Sequence, residues 1–263
     1  MRPQARRKPL NASALLPAAV VAALFLAWAL AVEIFAIPVY ILPSPQRIVV
    51  ALWEIRDTVA MHAAATLGTI LAGFALSIVV SLPLAAYLTL SAFGRAAIYP
   101  LLILSQSIPK VALAPILVLL LGTNVLPKIV ITFLVAFFPL VISSATGFGA
   151  TPKELIELGR SLQTNRWKEL LRIRLPYAIP FVFSGLKMAI TLSVIGAVVG
   201  EFVAADRGLG FLMTSSLAFF NTPVGYGAIV VLSLLAMILF QLVVLAERLL
   251  FPWSARMQTG AGR

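Results

Sequence analysis

The chain has 263 residues, of which 61% are hydrophobic and only 11% are charged, and its mean hydropathy is +1.05. A soluble domain carries about a quarter charged residues, so this composition indicates a membrane protein with several spanning segments. The chain has no cysteine and one histidine, His62, which excludes disulfides and predicts no metal site. The net charge of +11 does not indicate a nucleic-acid partner, because the basic residues flank apolar runs, the pattern that orients membrane proteins.

Six apolar runs follow one another along the chain, each near or above the roughly 20 residues that a helix needs to cross a bilayer. They occupy about 12–32, 63–90, 96–121, 129–149, 178–200 and 227–246. They lack the polar alternation of barrel strands, so we predict an all-α membrane protein with six transmembrane helices in a single domain over 1–263. A cleavable signal peptide is the alternative for the first run, but its length favours a retained helix.

The basic residues predict the orientation of these spans. Six spans place both termini on one side of the membrane. With the termini inside, 14 of the 20 basic residues face the cytoplasm and four face outward, so the positive-inside rule predicts cytoplasmic termini. The outward four are Arg47, Arg56, Lys128 and Arg207. The remaining two, Lys110 and Lys187, lie within spans, and the outer connector 37–61 is compatible with a short surface helix.

One interior stretch between the fourth and fifth spans is densely charged. Residues 154–176 read ELIELGRSLQTNRWKELLRIRLP, with three acidic and five basic residues. Thr151 followed by Pro152 predicts a helix start, with Thr151 as the N-cap. Leu155, Leu158 and Leu162 would share one face of this first helix, Gln163-Thr164-Asn165 suits a break, and a second short helix with Trp167 would end at Pro176.

The residues alone leave two interpretations of this loop open. An amphipathic hairpin can lie at the membrane surface, with its basic side chains reaching toward anionic lipid. It can equally dock a soluble protein, with its charges setting the register and Trp167 and the leucines filling a groove.

The spacing within the loop resembles a known motif. Glu157-Leu158-Gly159 is followed after three residues by Gln163, and nine residues later by Ile173-Arg174-Leu175-Pro176. This resembles the EAA loop of permease subunits of bacterial binding-protein-dependent ABC transporters, which reads Glu-Ala-Ala, three residues, Gly, nine residues, Ile-x-Leu-Pro. Leu158 and Gly159 depart from the two alanines, and Gln163 departs from the glycine that would allow a left-handed turn.

Further segments, in order, resemble the subfamily that serves nitrate, sulfonate, taurine and pyrimidine-precursor uptake. They are LPSPQRIV, SIPKVALAPILVLLLG, FFPLVISSATG, SGLKMAI and GEFVAADRGLGFL. The resemblance implies a type I importer permease in the bacterial inner membrane, forming a homodimer. Its partners would be two ATP-binding subunits, which hold ATP and Mg²⁺, and a periplasmic or lipid-anchored substrate-binding protein. The implied solute is a small anion such as a sulfonate, taurine or nitrate, or a pyrimidine-like compound.

The same resemblance assigns the loop to coupling with the ATP-binding subunit. The coupling residues would be Glu157, Leu158, Gly159, Gln163, Trp167, Ile173, Leu175 and Pro176. The chain should not hydrolyse ATP itself, because a Walker A loop requires a Gly-Lys pair and none occurs. Neither a G-x-S-x-G nor an H-E-x-x-H pattern is present, so we expect no enzyme activity and no catalytic residue.

Two other groups of residues are candidates for function. Polar residues at membrane depth often line a pathway, and the candidates are Ser105, Gln106, Lys110, Thr191 and Ser193. Packing and snorkelling are the alternatives there. Glu201 and Asp206 lie at the outer end of the fifth span and are candidates for contact with the binding protein, with a solvated turn as the alternative. Small residues such as Gly185, Ala189, Gly196 and Gly200 predict close helix packing.

Two other functional classes remain as alternatives to an importer subunit. An ion-coupled secondary transporter would favour carboxylates within spans, whereas here only Glu33 and Glu201 come close, near outer ends. A non-transporting membrane scaffold would use the charged loop only to bind lipid.

Overall fold

The computed structural model describes residues 12–203 and 205–254, and helices account for most of them. The α-helices are α1 (Ala12–Ile34), α2 (Pro45–Glu54), α3 (Arg56–Leu90), α4 (Tyr99–Ser105), α5 (Ala114–Leu121), α6 (Val125–Gly149), α7 (Lys153–Ser161), α8 (Arg166–Glu169), α9 (Leu175–Val203), α10 (Leu209–Ala218) and α11 (Thr222–Leu250). Two π-helical turns, Gly94–Ile98 and Leu170–Arg174, and one 3₁₀ turn, Lys110–Leu113, join some of them. The basic residues near the N terminus, together with Arg256 and Arg263, lie outside the described residues.

Among the described residues, four helical runs are long and apolar enough to cross a membrane. They are Arg56–Leu90, Val125–Gly149, Arg166–Val203 and Thr222–Leu250. A fifth span results if the bent pair Gly94–Ser105 and Lys110–Leu121 is counted as one. The first predicted span corresponds to α1, whose apolar part Ala19–Ile34 is shorter than these, so the count of six spans stays a prediction.

The third predicted span is broken rather than straight. Its two halves meet at an angle of 79°, with the break between Ser105 and Lys110. Pro109 lies in the break with a non-helical ψ of 88°, and a proline cannot donate the hydrogen bond that would continue a helix. The N–H groups of Gln106 and Ser107 instead bond to carbonyls three residues earlier, which satisfies the backbone at the turn.

The prediction that Pro176 ends the charged loop is wrong, because the helix runs on without a break from Arg166 to Val203. A proline crowds the carbonyl four residues earlier, here that of Arg172. That carbonyl belongs to the π-helical turn Leu170–Arg174, whose wider i→i+5 bonding moves it aside. Pro100 likewise follows a π-helical turn by two residues, so the chain uses the same solution twice.

The bundle is built on close contact of α6 with α9 and α3. A Cβ at Gly196 would lie 2.7 Å from the Cα of Thr132, and one at Gly200 would lie 3.0 Å from the Cα of Lys128. Gly185 and Ala189 face α6 in the same way, and Ala189 is fully buried. The predicted packing role of these small residues is therefore confirmed: they let two backbones approach where lipid offers no hydrophobic driving force.

The helices of the bundle have two distinct ends. At one end, which we call the loop end, α3 and α6 finish, α9 begins and α7 and α8 project. At the other, the far end, α9 finishes beside the early part of α3, and α11 begins beside it. α9 therefore runs opposite to α3, α6 and α11, which is the relative direction that the predicted topology requires.

Replacing Gly196 by alanine should destabilise the bundle, because the new Cβ would overlap the Thr132 backbone, which cannot move without shifting α6. Overpacking of this kind costs about 1–3 kcal/mol. The measurement is the thermal unfolding midpoint of the purified protein in detergent. Gly68→Ala is the matched control, since a Cβ at Gly68 would contact nothing within 4 Å. Equal midpoints for the two variants would contradict this account of α6–α9 packing.

Candidate functional site

The charged loop folds as two short helices, as predicted. The first helix begins one residue later than predicted. α7 begins at Lys153, with Pro152 at the cap position and no side-chain cap. The prediction of Thr151 as N-cap is wrong, because Thr151 is buried and its hydroxyl donates back to the Phe148 carbonyl. The predicted break lies where expected, and Asn165 caps α8 by accepting a 2.8 Å hydrogen bond from the Lys168 N–H.

Gln163 adopts the left-handed conformation that the family's glycine would favour. Its φ is +55°, one of three positive values among non-glycine residues in the described part of the chain. The turn is closed by Thr164, whose N–H and hydroxyl both donate to the Gly159 carbonyl. The substitution of glycine by Gln163 therefore retains the turn, with the backbone strain of a left-handed residue that has a Cβ.

Gly159 occupies the position of the motif's second alanine, and its environment explains that departure. A Cβ at Gly159 would lie 2.5 Å from Cδ1 of Ile173 and 3.2 Å from the Thr164 hydroxyl. Ile173 thus fills the space that an alanine side chain would need, and it fastens α7 against the turn Leu170–Arg174. Gly159 is buried and Ile173 is half-buried, so both shape the loop from inside.

The outer face of the loop exposes a set of large apolar side chains. This docking ridge consists of Leu158, Leu162, Trp167 and Leu171, each more than half exposed, with Trp167 at 67%. Glu157 is exposed beside it, Pro176 is exposed further along, and Leu175 is half-buried. Of the predicted coupling residues, Glu157, Leu158 and Trp167 are thus available to a partner, whereas Gly159, Ile173 and Leu175 hold the loop in shape.

A buried ion pair fastens the loop to the bundle. Glu169 is 5% exposed and accepts from Nε of Arg174 at 2.8 Å, and the nearest contact of the ion pair is 2.7 Å. Arg174 also donates to the Phe148 carbonyl at the end of α6, at 3.1 Å. Sequence reasoning missed this pair. A spacing of five residues does not bring two side chains together on an α-helix, but it does on the π-helical turn that follows Glu169 and ends at Arg174.

Replacing Gln163 by glycine should stabilise the loop, because it removes the cost of a left-handed residue with a Cβ, about 1–2 kcal/mol, offset in part by added freedom of the unfolded chain. We expect slower proteolysis within 153–176 in limited digestion. Gln163→Ala is the control, since it keeps the strained backbone while removing the polar side chain. Faster cleavage of the glycine variant than of the alanine variant would contradict this interpretation.

At the far end, Glu201 is buried, 2% exposed, and organises the turn before α10. Its carboxylate accepts from the Thr66 hydroxyl and from the Gly210 N–H, both at 2.8 Å. The Thr66 hydroxyl in turn accepts from the Leu209 N–H at 2.8 Å. Gly208 has a φ of +125° and approaches the Glu201 carboxylate so closely that only glycine fits there.

His62 belongs to the same cluster. It is 6% exposed, and its Nδ1 accepts from the Gly208 N–H at 3.0 Å. The helix α3 begins seven residues earlier than the predicted span, which brings His62 inside the bundle. Glu201 has no exposed surface for a partner, and of the two residues proposed for the binding protein only Asp206 is open, with its side chain 81% exposed.

Thr66→Val should loosen the far end, because it leaves the Leu209 N–H and one Glu201 oxygen without their partner in a buried site. Each unsatisfied buried group costs about 1–3 kcal/mol. The thermal midpoint should fall, and hydrogen exchange at 208–212 should accelerate. Thr69→Val is the matched control, since its hydroxyl bonds only to Ala65 in its own helix. A Thr66 variant that behaves like the Thr69 variant would remove this role from Thr66.

The residues predicted to line the solute pathway differ in how far their side chains are exposed. Gln106 and Thr191 are exposed, and Ser105 is half-buried with its hydroxyl donating to Leu102. Lys110 is half-buried, donates to the Gln106 carbonyl at 3.3 Å and lies 4.4 Å from the centre of the Phe138 ring. Ser193 is fully buried and donates to Ala189, so it faces the inside of the bundle rather than an open route.

Lys187, which lies within the fifth predicted span, forms an ion pair with a neighbouring helix. Its ammonium lies 2.6 Å from Oε2 of Glu247 in α11, and Ser254 donates to the other carboxylate oxygen at 2.8 Å. Glu247 is 2% exposed. A charge placed among apolar helices is costly unless it is paired, and this pair joins α9 to α11.

A bundle of long apolar helices that projects a short charged loop defines a multi-span membrane protein. A family described as "Binding-protein-dependent transport system inner membrane component" matches residues 77–255, and the chain belongs to this family. It is therefore the transmembrane permease subunit of an ABC importer, a multi-pass protein of the bacterial inner membrane. This confirms the family that the loop motif indicated. Such permeases work with an ATP-binding subunit and a substrate-binding protein.

Named relatives cover nearly the whole chain. It is 34% identical over 234 residues to the formylaminopyrimidine transport permease ThiX of Halalkalibacterium halodurans, covering 89% of this chain and 93% of the relative. It is 35% identical over 230 residues to the riboflavin transport permease RibX of Chloroflexus aurantiacus, covering 87% and 86%. It is 27% identical over 259 residues to the taurine transport permease TauC of Escherichia coli, covering 96% and 94%.

A solved structure shares the fold. An inward-facing structure of the MetNI methionine ABC transporter superposes with a TM-score of 0.60 at 19% identity, covering 75% of this chain and 96% of that chain. This likeness confirms the predicted type I importer permease fold.

Proposed function

We propose that the docking ridge inserts into a cleft of the ATP-binding subunit and transmits its movement to the bundle. The observation that carries this proposal is the combination of exposure and rigidity. Four large apolar side chains are exposed on a loop that is fixed to α6 by Arg174, which pairs with Glu169 and donates to the Phe148 carbonyl. Exposed apolar side chains grouped in this way mark interaction sites, and Trp is among the residues that contribute most to binding.

Two copies of the chain would assemble with two ATP-binding subunits, and those subunits would hold ATP and Mg²⁺. Closure of the ATP-binding subunits would bring the two docking ridges together and open the pathway outward, and hydrolysis would reset it inward. The contribution of this chain is binding and movement, since the sequence lacks the phosphate-binding loop that ATP hydrolysis requires.

The distribution of charge supports a cytoplasmic position for the loop end. Eight described basic residues lie there, against four at the far end. Those at the loop end are Arg95, Lys153, Arg160, Arg166, Lys168, Arg172, Arg174 and Arg248; those at the far end are Arg47, Arg56, Lys128 and Arg207. By the positive-inside rule, this asymmetry supports a ridge that lies beside the cytoplasmic ATP-binding subunit, with both termini inside.

The far end would receive the substrate-binding protein, with Asp206 as the exposed contact and Glu201 holding the neighbouring turn in place. Gln106, Lys110 and Thr191 remain our candidates for the solute route, beside the broken helix where irregular backbone is tolerated along a cavity. The names of the relatives support a small organic solute, either a nitrogen heterocycle such as a pyrimidine or a sulfonate such as taurine.

An ion-coupled mechanism receives no support from the described spans. The buried carboxylates Glu201 and Glu247 are both occupied by hydrogen bonds or an ion pair that hold helices together. A carboxylate that carried an ion or proton across the membrane would need access to the solute route.

Trp167→Ala should reduce ATPase activity coupled to solute uptake by tenfold or more, because burial of an anchoring Trp typically contributes about 2 kcal/mol or more to an interface. The measurements are uptake and ATP hydrolysis in proteoliposomes, with co-purification of the ATP-binding subunit. Trp53→Ala is the matched control: Trp53 is 70% exposed, similar to Trp167, but lies toward the opposite end of the bundle. If both variants retain coupling, the ridge is not the docking surface.

A further inference from the structure

A cavity of about 370 Å³ lies at the loop end, between the charged loop and the ends of α3 and α6. Its inner surface is made by buried residues of the bundle, among them Leu88, Thr89 and Ala145, with Thr151 and Arg174 from the loop side. The docking ridge does not line it. The cavity therefore stands apart from the surface that we assign to the ATP-binding subunit, although Glu157 borders both.

Four basic residues line this cavity against one acidic residue. Arg95, Lys153 and Arg160 are exposed at its rim, Arg174 lies in its wall, and Glu157 is the acid. Such an excess of basic groups around one concave site raises the local concentration of anions.

Two of the four basic residues have an acidic partner within the protein, because Glu169, beneath the cavity, pairs with Arg174 at 2.7 Å and with Arg160 at 3.8 Å. The charges of Arg95 and Lys153 are not neutralised in this way. Among the described residues no carboxylate lies within 4 Å of Arg95 or Lys153. Among the described residues, the Arg95 side chain donates to the Thr89 carbonyl at 3.0 Å through one guanidinium nitrogen, which leaves its other guanidinium donors available to an anion.

We propose that this cavity binds a phosphate-bearing anion, with Arg95 and Lys153 as its principal charged contacts. Guanidinium and ammonium groups that line one pocket suit phosphate oxygens, and basic pockets between the ends of spanning helices bind anionic lipid headgroups. The apolar surface of Leu88, Tyr99 and Ile156 beside the charges suits the glycerol and first methylenes of a phospholipid. A free phosphate would use the same two bases.

Occupancy would also fasten the loop. Arg95 belongs to the π-helical turn that follows α3, whereas Lys153 opens α7. A phosphate held between them would link the loop to the spanning helices by a route that does not use the Glu169–Arg174 pair.

The test measures binding to the full-length permease in a zwitterionic detergent by thermal shift titration. The probes are dioctanoyl phosphatidylglycerol, dioctanoyl phosphatidylcholine and inorganic phosphate. We expect phosphatidylglycerol to raise the unfolding midpoint and phosphatidylcholine to leave it unchanged. Arg95→Gln and Lys153→Gln should each weaken the apparent affinity about fivefold, the effect of removing one base near an anionic headgroup.

Arg172→Gln is the matched control, since Arg172 is an exposed base on the same loop that does not line the cavity. It should bind phosphatidylglycerol like the unaltered protein. Lys153 makes no side-chain hydrogen bond among the described residues, so Lys153→Gln should leave the fold unchanged. It therefore tests the proposal even if Arg95→Gln alters the fold.

Each outcome decides the assignment. If inorganic phosphate raises the midpoint in the absence of lipid and also displaces phosphatidylglycerol, the cavity binds phosphate from solution. If phosphatidylglycerol binds and phosphate does not displace it, the ligand is the lipid. The proposal is overturned if neither probe raises the midpoint, if phosphatidylcholine acts equally, or if Arg172→Gln weakens binding as much as Lys153→Gln.

Discussion

Lipid cannot solvate a charged side chain or an unpaired backbone group, and the placement of polar residues in this chain follows from that constraint. Glu201 is satisfied by Thr66 and by the turn before α10, Lys187 is paired with Glu247, and Arg174 is paired with Glu169. The Thr66–Glu201 and Lys187–Glu247 contacts join helices distant in the sequence, and Arg174 reaches the Phe148 carbonyl of α6. The polar groups that the membrane makes costly thus become the links that fix the helices relative to one another.

The loop shows how a motif can keep its shape while its residues change. Two of its departures from the family pattern are at Gly159 and Gln163. At Gly159 the methyl group of the motif's alanine is absent, and Ile173 fills that space. Gln163 adopts the left-handed conformation that glycine would adopt at lower cost. The consequence is a hairpin that is closed at Gln163 and Thr164 and that exposes Leu158 and Trp167.

Local pattern predicted much of this structure. Apolar runs located the spanning helices within a few residues at most ends, the loop motif located both short helices, and small residues marked the α6–α9 contact. What escaped prediction depends on tertiary contact. His62 and Gly208 are 146 residues apart, and Thr66 and Glu201 are 135 apart, so no window along the chain reveals that they meet. The helix through Pro176 escaped for a different reason: a proline is ordinarily a terminator, and only the π-helical turn before it overrides that rule.

The continuous helical run from Arg166 to Val203 connects the two ends of the bundle. Its 38 residues span about 57 Å at the usual rise per residue, with Trp167 near one tip and Glu201 near the other. Over that length, a tilt of the helix axis by about 5° about one end corresponds to a displacement of about 5 Å at the other end. The loop and the turn beside Asp206 are therefore joined through one continuous helical run, so that a displacement of the loop would need no intervening loop segment to reach the far end.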